Sequence, residues 1–277
     1  MRTWLITGAS SGLGRGIAEA VLKHGERAVL TSRNVEKLDD FVSRYNEDVL
    51  PLQLNLNDRK NREQVVNAAI EGFGSIDVLV NNAGHGYRAA IEESQEADIR
   101  ELFDTDFFSP MEMVKLVLPQ MRKRRSGLII NISSIGAVRG AIGNGYYSAA
   151  KAALELASDS LRKEVSQFGI RVMLIQPGAF RTGFYGANLL ESNKVIPDYQ
   201  SIASIYRKNG AVPNNQIGNP EEGGELIFKA TLSEEPPFRL LLGSDSIQAA
   251  ETELENRLDE LRKWKSFSIQ SDFEEGV

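Results

Sequence analysis

Tyr147 and Lys151 stand four residues apart in the run Tyr147-Ser148-Ala149-Ala150-Lys151. On a helix that spacing sets them one turn apart on one face. A free phenol ionises near pH ~10 and is a poor base at neutral pH. A neighbouring ammonium favours the phenolate and draws that value down toward a useful range. Asn131-Ile132-Ser133-Ser134 closes an apolar run thirteen residues before Tyr147, where the Ser134 hydroxyl can bond a substrate oxygen. A proton donor or acceptor, a charge that tunes it and a group that orients a carbonyl are what hydride transfer asks of a protein; the hydride belongs to a cofactor. Taken alone, the Tyr/Lys pair reads more simply as an amphipathic helix with a packed tyrosine and a solvated lysine.

A second feature sits at the start of the chain. The first apolar run leads into Thr7-Gly8-Ala9-Ser10-Ser11-Gly12-Leu13-Gly14, and a helical pattern follows at once. Glycines permit a tight turn and a close backbone approach, and the helix start offers free N–H groups and a positive dipole end to a pyrophosphate. The spacing Gly-x3-Gly-x-Gly is neither G-x-G-x-x-G nor a Walker sequence. A turn that needs small residues and binds nothing is the plain alternative. The second apolar run ends Leu30-Thr31-Ser32-Arg33-Asn34. An acidic residue at that tip would hold the adenosine ribose diol; Arg33 instead suits a 2′-phosphate, so NADP(H) is expected over NAD(H).

These groups need elements to hold them. Apolar runs at Thr3–Thr7, Ala28–Ser32, Val49–Leu54, Ile76–Asn81, Leu128–Ile132, Val172–Gln176 and Arg239–Leu242 are predicted strands. Helical periodicity fills Leu13–His24, Val35–Tyr45, Arg59–Phe73, Ile99–Met121 and Ser148–Phe168. The strand runs are near-continuously apolar, as when helices cover both faces of a sheet. The alternation implies an α/β fold: a doubly wound, Rossmann-like parallel sheet of about seven strands with helices on both faces. No linker or repeat breaks residues 1–277, so a single domain is expected. Within it, 183–219 is an irregular stretch rich in apolar residues, including Phe184, Tyr185, Leu189, Leu190 and Tyr206, and is expected to be either a substrate lid or a packed surface subdomain. A C-terminal extension over 245–277 carries a charged helical pattern from Ala249 to Trp264, expected to cover the body, and then an acidic tail.

Composition narrows the chemistry. The chain has no cysteine, which removes thiol catalysis, disulfides and thiolate metal sites, and its two histidines, His24 and His85, leave little for a triad or a zinc site. No metal is expected. Net charge is −6, which gives no sign of nucleic acid or an anionic membrane as a partner. The basic run Arg122-Lys123-Arg124-Arg125 reads as a solvated helix C-terminus. No run approaches the ~18 apolar residues of a membrane span, and a cytoplasmic protein is expected.

Together the motifs resemble the short-chain dehydrogenase/reductase family, in its compact single-domain branch. The matching residues are Thr7-Gly8 with Gly12 and Gly14, Asn81-Asn82-Ala83-Gly84, Ser134, Tyr147 with Lys151, and Pro177-Gly178 with Thr182; they span about Thr3 to Gly243. The resemblance implies Ser134, Tyr147 and Lys151 as the catalytic trio, with Tyr147 as acid/base and Lys151 also bonding the nicotinamide ribose. It implies Gly8, Ser10, Ser11, Gly12, Leu13 and Gly14 as the pyrophosphate turn, and Asn55-Leu56 as the pair beside the adenine, where Asp is commoner than Asn55. Asn82-Ala83-Gly84 would support the sheet and line the cofactor, and Pro177, Gly178 and Thr182 would hold its nicotinamide end.

The chain departs from the family at a fourth catalytic position. An asparagine usually stands there, bending its helix and holding water that leads to the lysine; here the segment Leu102-Phe103-Asp104-Thr105-Asp106-Phe107-Phe108 presents Asp106. A carboxylate there would oppose the lowering of the Tyr147 pKa. Tyr146 is expected in the cleft wall or in packing, and His85 as a loop residue without a catalytic role. The extension beyond the last strand leaves a homo-oligomer possible without fixing its order. The expected function is an NADP(H)-dependent oxidoreductase acting on a small-molecule carbonyl or alcohol that is partly hydrophobic. A cofactor-binding sensor with little turnover and a sugar-nucleotide epimerase or dehydratase are the alternatives.

Overall fold

The seven apolar runs become seven parallel strands; the five inner ones are buried almost throughout and the two at the edges only in part. The computed structural model describes residues 1–186, 188–210 and 215–273. The main sheet holds β1 (Thr3–Ile6), β2 (Arg27–Ser32), β3 (Val49–Gln53), β4 (Val78–Asn81), β6 (Gly127–Ile132), β7 (Ile170–Pro177) and β9 (Arg239–Leu242). Their order is β3-β2-β1-β4-β6-β7-β9, all parallel. Alternate residues of one run feed opposite cores. Trp4, Ile6, Val80 and Ile130 join the layer under α1 (Gly12–Lys23) and α8 (Pro220–Thr231), while Leu5, Leu79 and Ile129 join the layer under α3 (Arg59–Phe73) and α5 (Ser109–Arg124). The strand order reverses between β1 and β4, and the loops leaving those two strands therefore flank a crevice at the C-terminal edge.

Two glycines let α1 and α8 touch. A Cβ on Gly224 would stand 2.1 Å from the Gly16 carbonyl carbon, and one on Gly16 would stand 2.0 Å from the Pro220 carbonyl oxygen. This contact seats α1, whose first turn borders the crevice.

The predicted helix Ile99–Met121 is divided. α4 (Glu96–Phe103) passes into a π-helical turn, Asp104–Phe108, before α5 begins. A π turn inserts one residue into the helical repeat and re-aims the side chains around it; here it buries Asp106 completely. α6 (Gly145–Val165) carries Tyr147 and Lys151, and α2 (Asp39–Tyr45) follows β2.

The stretch 183–219 is more ordered than its sequence suggests. β5 (Gly86–Arg88) and β8 (Leu189–Glu191) form a separate two-stranded parallel sheet, and α7 (Gln200–Gly210) follows. Tyr206 of α7 is buried, and its hydroxyl donates to the fully buried Glu93, which also accepts from the Ile196 N–H at 2.9 Å. Residues 187 and 211–214 of this stretch lie outside the described residues.

One expectation is corrected. The C-terminal helix α9 (Ser244–Ser268) does not cover the body. Its first turns are anchored by buried Ser246 and Ala250, and Arg257 reaches the Val138 carbonyl. Beyond that Leu254, Leu261, Trp264 and Phe267 are 51–66% exposed. The charged pattern announces a helix but not a surface for it to pack on. The acidic tail is described only as far as Phe273. Among the described residues no helix is long and apolar enough to cross a membrane.

The glycine contact between α1 and α8 gives a stability test. Gly224→Ala is expected to cost about 1–3 kcal/mol by overpacking. Gly140→Ala, where an added Cβ meets nothing, should stay within about 0.5 kcal/mol in the same urea titration.

Candidate active site

Helix α6 presents Tyr147 and Lys151 on the face turned to the end of β6, as the i, i+4 spacing requires. Lys151 Nζ lies 5.9 Å from the centroid of the Tyr147 ring. It donates to the Ile132 carbonyl at 3.1 Å, which fixes the ammonium against the end of β6. Ser134 follows that strand; its Oγ accepts the Gly136 N–H at 3.0 Å and adjoins the Tyr147 phenol. The trio expected from the sequence is thus brought together at the C-terminal edge of the sheet. Tyr146 is partly buried beside it and packs in the same small apolar cluster as Tyr147 and Phe184.

A buried network holds this edge in register. Asn81 Nδ2 donates to Asn131 Oδ1 at 2.8 Å, and Asn131 Nδ2 donates to Ser158 of α6 at 2.8 Å. One helical turn earlier, Glu155 Oε1 accepts from Ser133 at 2.6 Å and from Gln176 at 2.8 Å. β4, β6, β7 and α6 are therefore tied by polar bonds inside an apolar core, where each bond is expensive to break. Sequence reasoning missed Glu155 and Ser158, because polar residues on an amphipathic helix look solvated until the helix is seen against the sheet.

Asp106 faces Lys151 with its Oδ2 at 3.2 Å, and both side chains are almost wholly shielded from solvent. Its Oδ1 accepts the His85 N–H at 3.1 Å, and a Cβ on Gly84 would crowd that oxygen at 3.1 Å. His85 takes part through its backbone, and its Nδ1 lies 3.3 Å from the Gly86 carbonyl.

The expected lowering of the Tyr147 pKa does not hold. Burial raises the phenol well above the ordinary tyrosine range, and the Asp106 carboxylate raises it further. The Ser134 hydroxyl and, more weakly, Arg88 pull the other way. The reason is physical: desolvation penalises phenolate, and the lysine charge faces a carboxylate of opposite sign at close range.

The glycine turn lies across the crevice. Gly8 and Gly12 adopt positive φ (68° and 56°), which glycine tolerates best. The space they leave is taken by the protein's own loops. A Cβ on Gly8 would stand 3.0 Å from Ala83, one on Gly12 3.0 Å from Thr182, and one on Gly14 2.2 Å from Asn82 Nδ2. Asn82 in turn donates to the Thr7 and Gly8 carbonyls at 2.9 and 3.2 Å, and the Asn82 and Ala83 N–H groups meet Thr7 Oγ1. Ser11 is the N-cap of α1 but makes no side-chain capping bond. The N–H groups of the first turn, at Gly12, Leu13 and Gly14, thus stay available to an anion. Ser10 accepts from Ser32 at 3.1 Å.

Arg33 is exposed at the tip of β2, and among the described residues its guanidinium has no partner. Asn55 is exposed, with its Oδ1 accepting the Asn57 N–H at 3.2 Å; the Leu56 side chain turns into the core. Gly178 is held by its N–H to the Leu242 carbonyl at 2.9 Å, next to Pro177, and the Asp245 carboxylate occupies the place of its missing side chain. Thr182 Oγ1 accepts the Phe184 N–H at 3.2 Å.

The short chain dehydrogenase family model matches residues 2–191, which carry the glycine turn, Arg33, Asp106, Ser134, Tyr147, Lys151 and the stretch from Pro177 to Thr182. The chain belongs to the short-chain dehydrogenase family. This dehydrogenase is an oxidoreductase whose seven-stranded parallel sheet, flanked by helices, is the fold of the solved short-chain dehydrogenase it resembles. It is 32% identical to "Oxidoreductase BOA17" of Botryotinia fuckeliana over 98% of its own length and 99% of the relative's. It is 38% identical to the "3-ketodihydrosphingosine reductase" of Bacteroides thetaiotaomicron over 86% and 87% of the two chains. A crystal structure of a short-chain dehydrogenase from Streptomyces avermitilis superposes with a TM-score of 0.91 at 38% identity, covering 98% of both chains.

Removing the carboxylate separates its two roles in this dehydrogenase. Asp106→Asn deletes a charge that raises the Tyr147 phenol, so the limb of the pH–rate profile set by that group should move to lower pH. The same substitution leaves Lys151 buried without its counter-ion and should cost up to roughly 3–5 kcal/mol in denaturant unfolding. A profile that does not move would refute the electrostatic role.

Proposed function

We propose that the enzyme is NADP(H)-dependent and acts between a carbonyl and the corresponding secondary alcohol of a partly hydrophobic substrate, with Tyr147 as general acid/base. The observation that carries this reading is the convergence of Ser134, Tyr147 and Lys151 at the sheet edge, across the crevice from an uncapped helix start. The bound nicotinamide supplies or accepts the hydride. The chain's own residues handle the oxygen and its proton.

Ser134 orients the substrate oxygen, and the Tyr147 hydroxyl gives it a proton in reduction or takes one in oxidation. A phenol held above its usual pKa is protonated at neutral pH, the state that carbonyl reduction needs. Lys151, fixed by Ile132 and Asp106, is the group placed to bond the nicotinamide ribose. The open N–H groups at Gly12, Leu13 and Gly14 and the hydroxyls of Ser10 and Ser11 suit a pyrophosphate. Pro177, Gly178 and Thr182 would hold the nicotinamide end, and Asn55 with Leu56 would lie beside the adenine.

The preference for NADP(H) rests on Arg33. It is exposed, unpaired among the described residues, and stands where a carboxylate would otherwise bind the ribose diol. The hydrophobic character of the substrate rests on Phe184, whose ring lies 5.5 Å from that of Tyr147, and on Tyr185 packed 5.4 Å from Phe184.

The test is loss of NADPH absorbance, with NADH in parallel, against a panel of hydrophobic ketones and aldehydes. Turnover should favour NADPH, and Tyr147→Phe should lower kcat/KM by about 10²–10⁴. Arg33→Ala should narrow the NADPH preference by about tenfold, the worth of a charge-assisted contact. Faster turnover with NADH would overturn the role of Arg33, and an active Tyr147→Phe variant would overturn the acid/base assignment.

A further inference from the structure

Arg88 has no role in the chemistry above, yet it stands beside it. Side chains of a strand alternate between its faces. Tyr87 of β5 turns into the apolar cluster that also holds Leu102, Tyr147 and Phe184, and its hydroxyl donates to Asp98 at 3.1 Å. Gly86 and Arg88 share the opposite face. A Cβ on Gly86 would stand 2.7 Å from both the Phe184 ring and the Leu189 side chain, so that face of β5 also meets the wall of the cleft. The Phe184 ring is itself 5.5 Å from the ring of Tyr147. The Arg88 charge lowers the pKa of both the Tyr147 and the Tyr185 phenol, against the larger effect of burial.

Its surroundings are those of a binding group rather than a structural one. Arg88 is half-buried, and burial pulls its guanidinium below the ordinary arginine range. Among the described residues its side chain makes no hydrogen bond, ion pair or ring contact, although Glu191 is its register partner across β5 and β8. Other arginines withdrawn from solvent are paired. Arg62 bonds the Leu56 carbonyl and Ser109, Arg2 bonds Glu26 and Thr231, and Arg15 bonds Asp40. A desolvated charge without a partner is costly, and arginine does not escape the cost by losing its proton.

We propose that Arg88 is an anion-binding arm of the substrate cleft, and that the carbonyl compound carries a carboxylate or phosphate on the side facing β5 and an apolar chain against Phe184, Tyr185 and Leu189. The guanidinium fork matches either anion in a two-point contact. Held there, the anion orients the carbonyl against Ser134 and Tyr147 as well as adding affinity. This proposal rests on the carbonyl-reductase reading and narrows its substrate class.

The test compares 4-oxodecanoate, its methyl ester and the matching oxoalkyl phosphate in the wild type, Arg88→Lys and Arg88→Leu. The anion should be favoured over the ester by about tenfold or more in kcat/KM, the worth of a hydrogen bond to a charged group. Most of that preference should lie in KM. Arg88→Leu should collapse the ratio, and Arg88→Lys should keep part of it. Whether the carboxylate or the phosphate gains more identifies the anion. A wild type that takes the ester equally well, or a ratio that survives Arg88→Leu, would overturn the proposal. Calorimetry with decanoate and decyl phosphate separates it from the reductase reading. If no carbonyl compound turns over but either anion binds about tenfold more weakly to Arg88→Leu, the subsite stands and the reductase reading fails. If neither turnover nor binding depends on Arg88, the subsite itself is wrong.

Discussion

The site is organised around one ion pair taken almost wholly out of water, Lys151 with Asp106 at 3.2 Å. Two buried charges are tolerated only where their attraction and further hydrogen bonds offset the loss of hydration. Both requirements shape the surroundings. The Ile132 carbonyl at the end of β6 accepts from the ammonium, and the His85 N–H after β4 donates to the carboxylate. The π turn between α4 and α5 sinks Asp106 far enough to reach them, and Gly84 leaves the carboxylate its space. The pair therefore joins two strand ends and two helices at a point beside the phenol whose protonation it biases.

The rest of the scaffold keeps that point in place. Asn81, Asn131 and Ser158 lace β4 and β6 to α6, and Glu155 lies within bonding distance of Ser133, Gln176 and, at 3.5 Å, Arg239. Across the crevice, Thr7 and Asn82 join the first and fourth strand ends, so the glycine turn and the helix that carries Tyr147 are referred to one frame. This division of labour accounts for the glycines. Gly8, Gly12 and Gly14 are needed where chain meets chain, and the open N–H groups of the turn come from the start of α1, which has no side-chain cap.

Much of this was legible in the residues. Strands buried on both faces announce themselves as near-continuous apolar runs such as Leu128–Ile132, and Tyr147 with Lys151 declares a shared helix face by spacing alone. The π turn was not legible, because a shift in backbone hydrogen bonding at Asp104–Phe108 leaves no mark in residue type. β5 and β8 were missed because a pair of three-residue strands lacks enough positions to show a period. The pattern from Ala249 to Trp264 gave the helix but not its exposure, which depends on what lies opposite. Arg88 was overlooked because a single charge in a short loop-like run looks solvated until its neighbours are known. The sign of the Tyr147 shift was misjudged for the same reason. Spacing shows that a lysine is near, whereas burial and the lysine's own counter-ion decide how much of its charge the phenol feels.

The central claim is that this pocket holds Tyr147 as a protonated phenol. Ultraviolet difference titration of the wild type against Tyr147→Phe tests it directly, since subtraction removes the signal of the other six tyrosines among the seven in the chain. The account predicts that the Tyr147 difference band develops only above the pH at which free tyrosine ionises, near ~10. A band that develops at or below that pH in the cofactor-free protein would contradict it, and with it the claim that burial and Asp106 outweigh the neighbouring lysine.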